Sequence, residues 1–147
     1  MCSATAITRA HRAGAHYYWL VDAKGQAAGI ECSARRAFRA DVTSGFAVHA
    51  NHALHPEVRA IEGNAPGASS LARQTRLEAL AAAAVGRLTR EDVEGFFADT
   101  ADGANAICRD DLDGLNTNGV VVVDPAEGLF RLCHGVPTRN PWVTFRG

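Results

Sequence analysis

The chain has 147 residues, 47% of them hydrophobic and 21% charged, with a formal net charge of -1; that length fits a single domain, residues 1–147, able to bury a real core. The near-zero charge removes compositional support for nucleic acid binding. No stretch approaches the ~20 consecutive apolar residues of a membrane helix, and the start lacks a signal peptide's charged and apolar regions, so a cytoplasmic protein with no membrane partner is expected.

In chain order, Ser3, Ala4, Thr5, Ala6 and Ile7 read as a short weak strand leading into a basic stretch at Arg9 and Arg12. Residues 16–32 predict a β-hairpin: the run Tyr17, Tyr18, Trp19, Leu20, Val21 suits a half-buried pleated surface, and Gly25 supplies the positive φ of a tight turn. Residues 34–44 are basic and read as irregular, with Arg35, Arg36 and Arg39 clustered around Phe38, where a local groove could bind something negative. Phe46, Ala47, Val48 and His49 read as a short strand delivering Asn51 and His52 to its end.

Pro56, Gly63, Asn64, Pro66 and Gly67 predict a long surface connection. Ser69 and Ser70 then read as N-caps of a helix running to about Val85, with Leu77, Leu80, Ala81, Ala84 and Val85 on one face and Gly86 at its end. Thr89 with Asp92 three residues on forms a capping-box pair for a second helix, whose apolar face is Val93, Phe96 and Phe97 and which ends in the region 99–103. A second hairpin follows, with runs at 120–123 and 129–133 joined by Asp124, Pro125, Ala126, Glu127 and Gly128; Trp142 to Phe145 adds a last short strand. Two hairpins flanking a helical pair predict an α+β fold in which helices cover one face of an antiparallel sheet. The two hairpin turns are similar, but there is no internal repeat.

Cys2, Cys32, Cys108 and Cys133 contain no CxxC pair, and buried free thiols are the expected reading. Removal of Met1 would leave Cys2 with its own α-amine as a base for its thiol, the logic of N-terminal nucleophile enzymes, although the weak strand after it argues against that role. His49, His52 and His55 recur every third residue, a spacing that invites a metal reading on a helix; Pro56 and the absence of a nearby Cys or carboxylate argue for structural histidines instead. Asn51 could aim its amide N–H at a developing oxyanion, or be an ordinary turn asparagine. Ser70 with Arg73 and Arg76 at a helix start could grip a carboxylate, or the arginines could be solvated. Arg109, before Asp110, Asp111 and Asp113, could be an ion-paired structural residue or a site residue.

The segments AHYYWLVDAKGQAAGIECS (15–33), VHANHAL (48–54), GASSLARQTRLEAL (67–80), LTREDVEGFFAD (88–99), NAICRDD (105–111) and GVVVVDPAEGLFRLCHGVPTRNPW (119–142) occur in an order that resembles the C-terminal half of the penicillin acyltransferase family. Also called the acyl-coenzyme A:6-aminopenicillanic acid acyltransferase family, it is related to the bile salt and penicillin V hydrolases. The resemblance implies a partial N-terminal nucleophile hydrolase fold, a four-layer αββα sandwich in which a cysteine attacks an amide or thioester carbonyl, with no cofactor. It assigns Asn51 to the oxyanion hole, Arg73 to the neighbourhood of the nucleophile and Arg109 to a site arginine. His49, His52, Ser33, Ser70 and Thr117 become candidate substrate-binding residues.

The departures are specific. The family's nucleophile strand lies upstream of the segment that begins here near Ala15, Cys2 sits too close to the first hairpin to take its place, and Tyr17 stands where the family often has Asn. The resulting expectation is the C-terminal portion of a cysteine-type amidohydrolase or acyltransferase, inactive alone and served by a complementing N-terminal segment. The alternatives are a non-catalytic binding or assembly module that forms a homodimer through an exposed sheet face, and a small metal-binding protein using His49 and His52.

Overall fold

The computed structural model describes residues 2–43, 45–110 and 114–147, with side chains from Ala4 onward. Its first element is a helix, α1 (Cys2–Arg9), and not the strand expected there. Ala4 is buried, and the orphan carbonyls at the helix end find a guanidinium: Arg12 donates to the oxygens of Ile7 (2.6 Å) and Ala10 (2.9 Å), and onward to Ser33 O (3.1 Å).

The first hairpin forms as expected. Strands β1 (His16–Val21) and β2 (Ala27–Cys32) pair antiparallel from His16 opposite Cys32 to Val21 opposite Ala27. Asp22 Oδ1 accepts the N–H groups of Lys24 (2.9 Å) and Gln26 (3.0 Å), and Gly25 takes a φ of 77°, so an Asx-type turn closes the loop. The basic stretch after it is not irregular: β3 (Ala37–Asp41) pairs with β2 and completes a three-stranded sheet. Its charges sit on exposed positions, where Arg39 pairs with Asp41 at 2.6 Å, while Phe38 stacks on His55 with ring centroids 3.6 Å apart. The expected arginine groove around Phe38 is therefore partly neutralised from within its own strand.

Residues 46–49 form no strand. Their backbone is bonded to a side chain: Gln74 accepts from Ala50 N at 2.7 Å and donates to Val48 O at 3.1 Å, standing in for a neighbouring strand. The expected long connection contains a further helix, α2 (Pro56–Glu62). Pro56 occupies its first position, where the missing N–H costs nothing, His55 caps it by accepting Glu57 N, and Gly63 closes it at a φ of 70°. Proline and glycine here mark a helix's ends.

Helix α3 (Ala68–Ala84) starts from Gly67 as N-cap, so Ser69 and Ser70 lie in its first turn and do not cap it. Its buried residues are Ser70, Gln74, Ala81 and Ala84, and Val85 falls beyond the end at 53% exposure. Helix α4 (Arg90–Phe97) carries the expected capping box, with Thr89 and Asp92 satisfying each other's backbone N–H. Thr89→Ala is expected to cost about 1 kcal/mol by removing that cap, read as a lower midpoint of urea unfolding. A 3-10 turn, Gly103–Asn105, packs beside α3.

The second hairpin, β4 (Gly119–Asp124) and β5 (Leu129–His134), and the last strand, β6 (Trp142–Arg146), form a second antiparallel sheet in the order β4-β5-β6. The fold is α+β, with two three-stranded sheets where one sheet with helices on a face was expected. Alternation divides the second sheet. Val120, Val122, Leu129 and Cys133 point into the core, and Arg131 on that face pairs with Glu94 of α4 at 2.5 Å. The opposite face is apolar across all three strands: Val121, Leu132 and Val143 lie in one row of the register, Val123, Phe130 and Phe145 in the next. Val121, Val123, Phe130, Val143 and Phe145 are 40–57% exposed. Cys32, Cys108 and Cys133 are free and fully buried, as expected of structural thiols; the Cys2 side chain lies outside the described residues. No helix among the described residues is long and apolar enough to cross a membrane.

Candidate active site

Three polar groups hold the segment His49, Ala50, Asn51 and His52. Glu31, 7% exposed on β2, reaches across the base of the segment: its carboxylate accepts the N–H groups of Leu54 (2.7 Å) and His55 (2.6 Å) and bonds His49 Nε2 (3.1 Å). Gln74, 5% exposed on α3, takes the backbone on the other side and is itself steadied by Glu78 at 2.7 Å. Ser70, one turn earlier on the same helix face, accepts Asn51 N at 2.9 Å and shares a 2.8 Å bond with His52 Nδ1. Satisfying an otherwise unpaired loop backbone this way fixes it nearly as well as a ladder would.

The three histidines have different partners, which separates them as ligands. His49 lies between Glu31 and the Tyr17 ring, stacked at 3.7 Å; His52 bonds Ser70; His55 caps α2. Among the described residues no group of three or more His, Cys, Asp or Glu gathers to hold a metal ion. Tyr17 lies over Gly29 so closely that a Cβ there would fall 1.8 Å from its hydroxyl oxygen. Burial, and then the Glu31 carboxylate, push the Tyr17 phenol above its usual range.

Asn51 is held at both ends. Its backbone N–H goes to Ser70, and its Oδ1 accepts from Arg73 Nη2 at 2.7 Å, which fixes the amide and leaves Nδ2 as its outward donor. Asn51, His49, Arg73, Leu77, Phe97, Thr117 and Val120 help line a cleft of about 410 Å³. Arg73 Nε also reaches Ser69 Oγ (3.4 Å), and the same hydroxyl accepts from Arg109. Thr117 Oγ1 accepts Arg109 N (3.0 Å) while Thr117 N donates to Arg109 O (2.9 Å), a double link that holds the arginine's backbone. Asp111 and Asp113 lie outside the described residues; Asp110 pairs with Arg139 at 2.5 Å.

The structure thus brings together Asn51, Arg73, Arg109, Ser70, Thr117, His49 and His52. Ser33 is placed elsewhere: it is 3% exposed, and its hydroxyl accepts the N–H groups of Arg35 (3.2 Å) and Arg36 (3.1 Å) in the turn after β2. Arg76 does not join the expected carboxylate grip, because it donates to Asp99 at 2.7 Å. Hydrogen bonding from Arg76 holds the Asp99 carboxyl below its ordinary value of 3.8. A depressed folded pKa means the pair stabilises fully above that value and its contribution disappears as pH falls through and below it. Melting temperatures of the parent and Arg76→Gln are expected to differ at pH 6 and to converge in acid.

Three contributors were not legible as site residues: Glu31, Gln74 and Ser69. The available signal was the polar pair Ser70 and Gln74, four apart on what should be a buried helix face, and a lone carboxylate inside the apolar run of β2.

Asn51 is thus clamped by the Arg73 guanidinium on the wall of a cleft. The chain belongs to the acyl-coenzyme A:6-aminopenicillanic acid acyl-transferase family, whose model matches residues 4–139, and an acyltransferase-like function follows at that level. Among curated proteins, no relative matches the chain.

Proposed function

We propose that this chain supplies the oxyanion-binding side of a cysteine-dependent acyl-transfer site acting on an amide or thioester carbonyl. Asn51 Nδ2 donates to the tetrahedral oxyanion, Arg73 and Ser70 hold Asn51 in place, and Thr117 positions Arg109. The observation that carries this reading is the double anchoring of Asn51, through Ser70 at 2.9 Å and Arg73 at 2.7 Å, because a preorganised donor needs no reorganisation as charge develops.

The thiolate must come from elsewhere than Cys32, Cys108 or Cys133. All three are fully buried, and burial pushes the Cys108 and Cys133 thiols above their usual range, towards the unreactive protonated form. On this reading a cysteine-bearing segment placed beside Asn51 supplies the thiolate, in the manner of the family's N-terminal nucleophile sandwich. Amide hydrolysis by the purified chain, with and without Cys2→Ala, tests this. Absence of turnover is expected in both; robust turnover abolished by Cys2→Ala would show the chain to be a complete enzyme and overturn the reading.

The open apolar face of β4, β5 and β6 favours a second reading, an assembly module in which two copies meet through this face. A twofold axis apposes a patch with itself, so the rows of Val121, Leu132 and Val143 and of Val123, Phe130 and Phe145 would cover one another. Scattering should then give a dimer mass, reduced to monomer by Phe145→Ser; a monomeric parent that binds no apolar dye sinks this reading.

A further inference from the structure

Among the described residues His49 is the one histidine bonded to a carboxylate; His52 bonds the Ser70 hydroxyl and His55 a backbone N–H. The Glu31 carboxylate already accepts the N–H groups of Leu54 and His55. Towards His49 it is an acceptor again, so Nε2 carries the imidazole proton and Nδ1 keeps its lone pair. The ring plane is fixed as well. It stacks on Tyr17 with centroids 3.7 Å apart and planes at 26°, and Tyr17 in turn lies against Gly29. Nδ1 has no hydrogen-bond partner among the described residues, yet it is not one of the buried orphan atoms, so it meets solvent.

His49 lines the same cleft of about 410 Å³ as Asn51, two residues away, and Leu77, Phe97, Ile107 and Val120 give that cleft apolar walls. One cleft therefore holds an imidazole whose tautomer and plane are set by its neighbours, and an amide donor clamped by Arg73. A base for water and a donor for an oxyanion are what ester hydrolysis needs when the leaving group is good enough to depart without a thiolate intermediate.

We propose that His49, positioned by Glu31, is a general base and that the chain by itself hydrolyses activated esters, those of phenols and other acidic alcohols, without a cysteine. Nδ1 takes a proton from water as the water oxygen bonds to the acyl carbon, and Asn51 Nδ2 donates to the resulting oxyanion. Collapse breaks the bond from carbon to the aryl oxygen, and the imidazolium returns its proton to the departing phenolate. The amine of an unactivated amide is too poor a leaving group for this route, so the proposal leaves amide turnover to a complementing thiolate. It rests on the acyl-transfer reading only for the part that Asn51 plays.

The test is release of 4-nitrophenolate from 4-nitrophenyl acetate by the full chain. Multiple turnovers are expected, about 100-fold faster than with 4-methylimidazole at equal concentration. The active form is the neutral ring, faced by Glu31 from β2 and Tyr17 from β1, with Arg73 of α3 on the same cleft, so the rate should climb with pH to a plateau. It should also be slower in D2O, a readout on the parent that needs no folded variant. His49→Gln should fall to the level of buffer and Glu31→Gln about tenfold, both with the parent's circular dichroism spectrum, while Cys2→Ala changes nothing. Turnover that needs His49 but survives Asn51→Ala would count against the oxyanion reading alone. A rate no better than free 4-methylimidazole, release that stops at one equivalent, no slowing in D2O, or turnover retained by folded His49→Gln would overturn the proposal and leave the thiolate-complemented reading standing.

Discussion

Replacing Asn51 by alanine is expected to slow acyl transfer by about 100- to 1000-fold in the thiolate-complemented enzyme, with KM changed only a few-fold. A preorganised oxyanion donor acts on charge that exists only in the transition state, so its loss appears in kcat, at roughly 3 to 4 kcal/mol. Asn51→Asp should be worse than alanine. A carboxylate in that place would pair with Arg73, which lies 2.7 Å from Asn51 Oδ1, and would turn a negative oxygen towards the developing oxyanion. Parallel kcat and KM measurements on the two variants check this, and a loss confined to KM would remove Asn51 from the oxyanion role.

The second large effect is on stability. Glu31→Ala is expected to destabilise the fold by about 3 to 5 kcal/mol, since it strips a buried acceptor from two backbone N–H groups and a histidine. The Leu54 and His55 N–H bonds at 2.7 and 2.6 Å are the shortest links from the first sheet to the Asn51 segment. Their loss should therefore loosen the site before it unfolds the sheets. Glu31→Gln keeps the shape but has one acceptor oxygen where there were two, and should cost roughly half as much. Denaturant midpoints measure the cost, and faster amide hydrogen exchange at residues 49–55 would locate it.

The same residues show what kind of information a sequence holds. The hairpins were legible because their signal is local: Asp22 and Asp124 bond N–H groups only two to four residues ahead, and Gly25 and Gly128 supply the positive φ values, 77° and 58°, that close each loop. The capping box at Thr89 and Asp92 was legible for the same reason. Sequence and structure part where a distant group replaces a local one. Residues 46–49 have strand-like composition, yet Gln74 took the hydrogen bonds that a neighbouring strand would have provided. The basic stretch before Ser44 became β3 because β2 offered a free edge, which no propensity within the stretch records. Pro56 and Gly63 read locally as breaks because their meaning at a helix start and end depends on the turn between them.

By itself, the sequence determined the α+β class, both hairpins, α3 and α4, the burial of Cys32, Cys108 and Cys133, and the family to which the chain belongs. It also put Asn51, Arg73 and Arg109 forward as candidates. Only the tertiary structure decided their grouping: Arg73 and Arg109 meet at Ser69 from 36 residues apart, while Arg76, three residues from Arg73, turns away to Asp99. The reason is geometric. Hydrogen bonds spanning a few residues are set by side-chain type and spacing, whereas the convergence of two guanidiniums on one hydroxyl depends on how the chain brings Arg109 up to the first turns of α3.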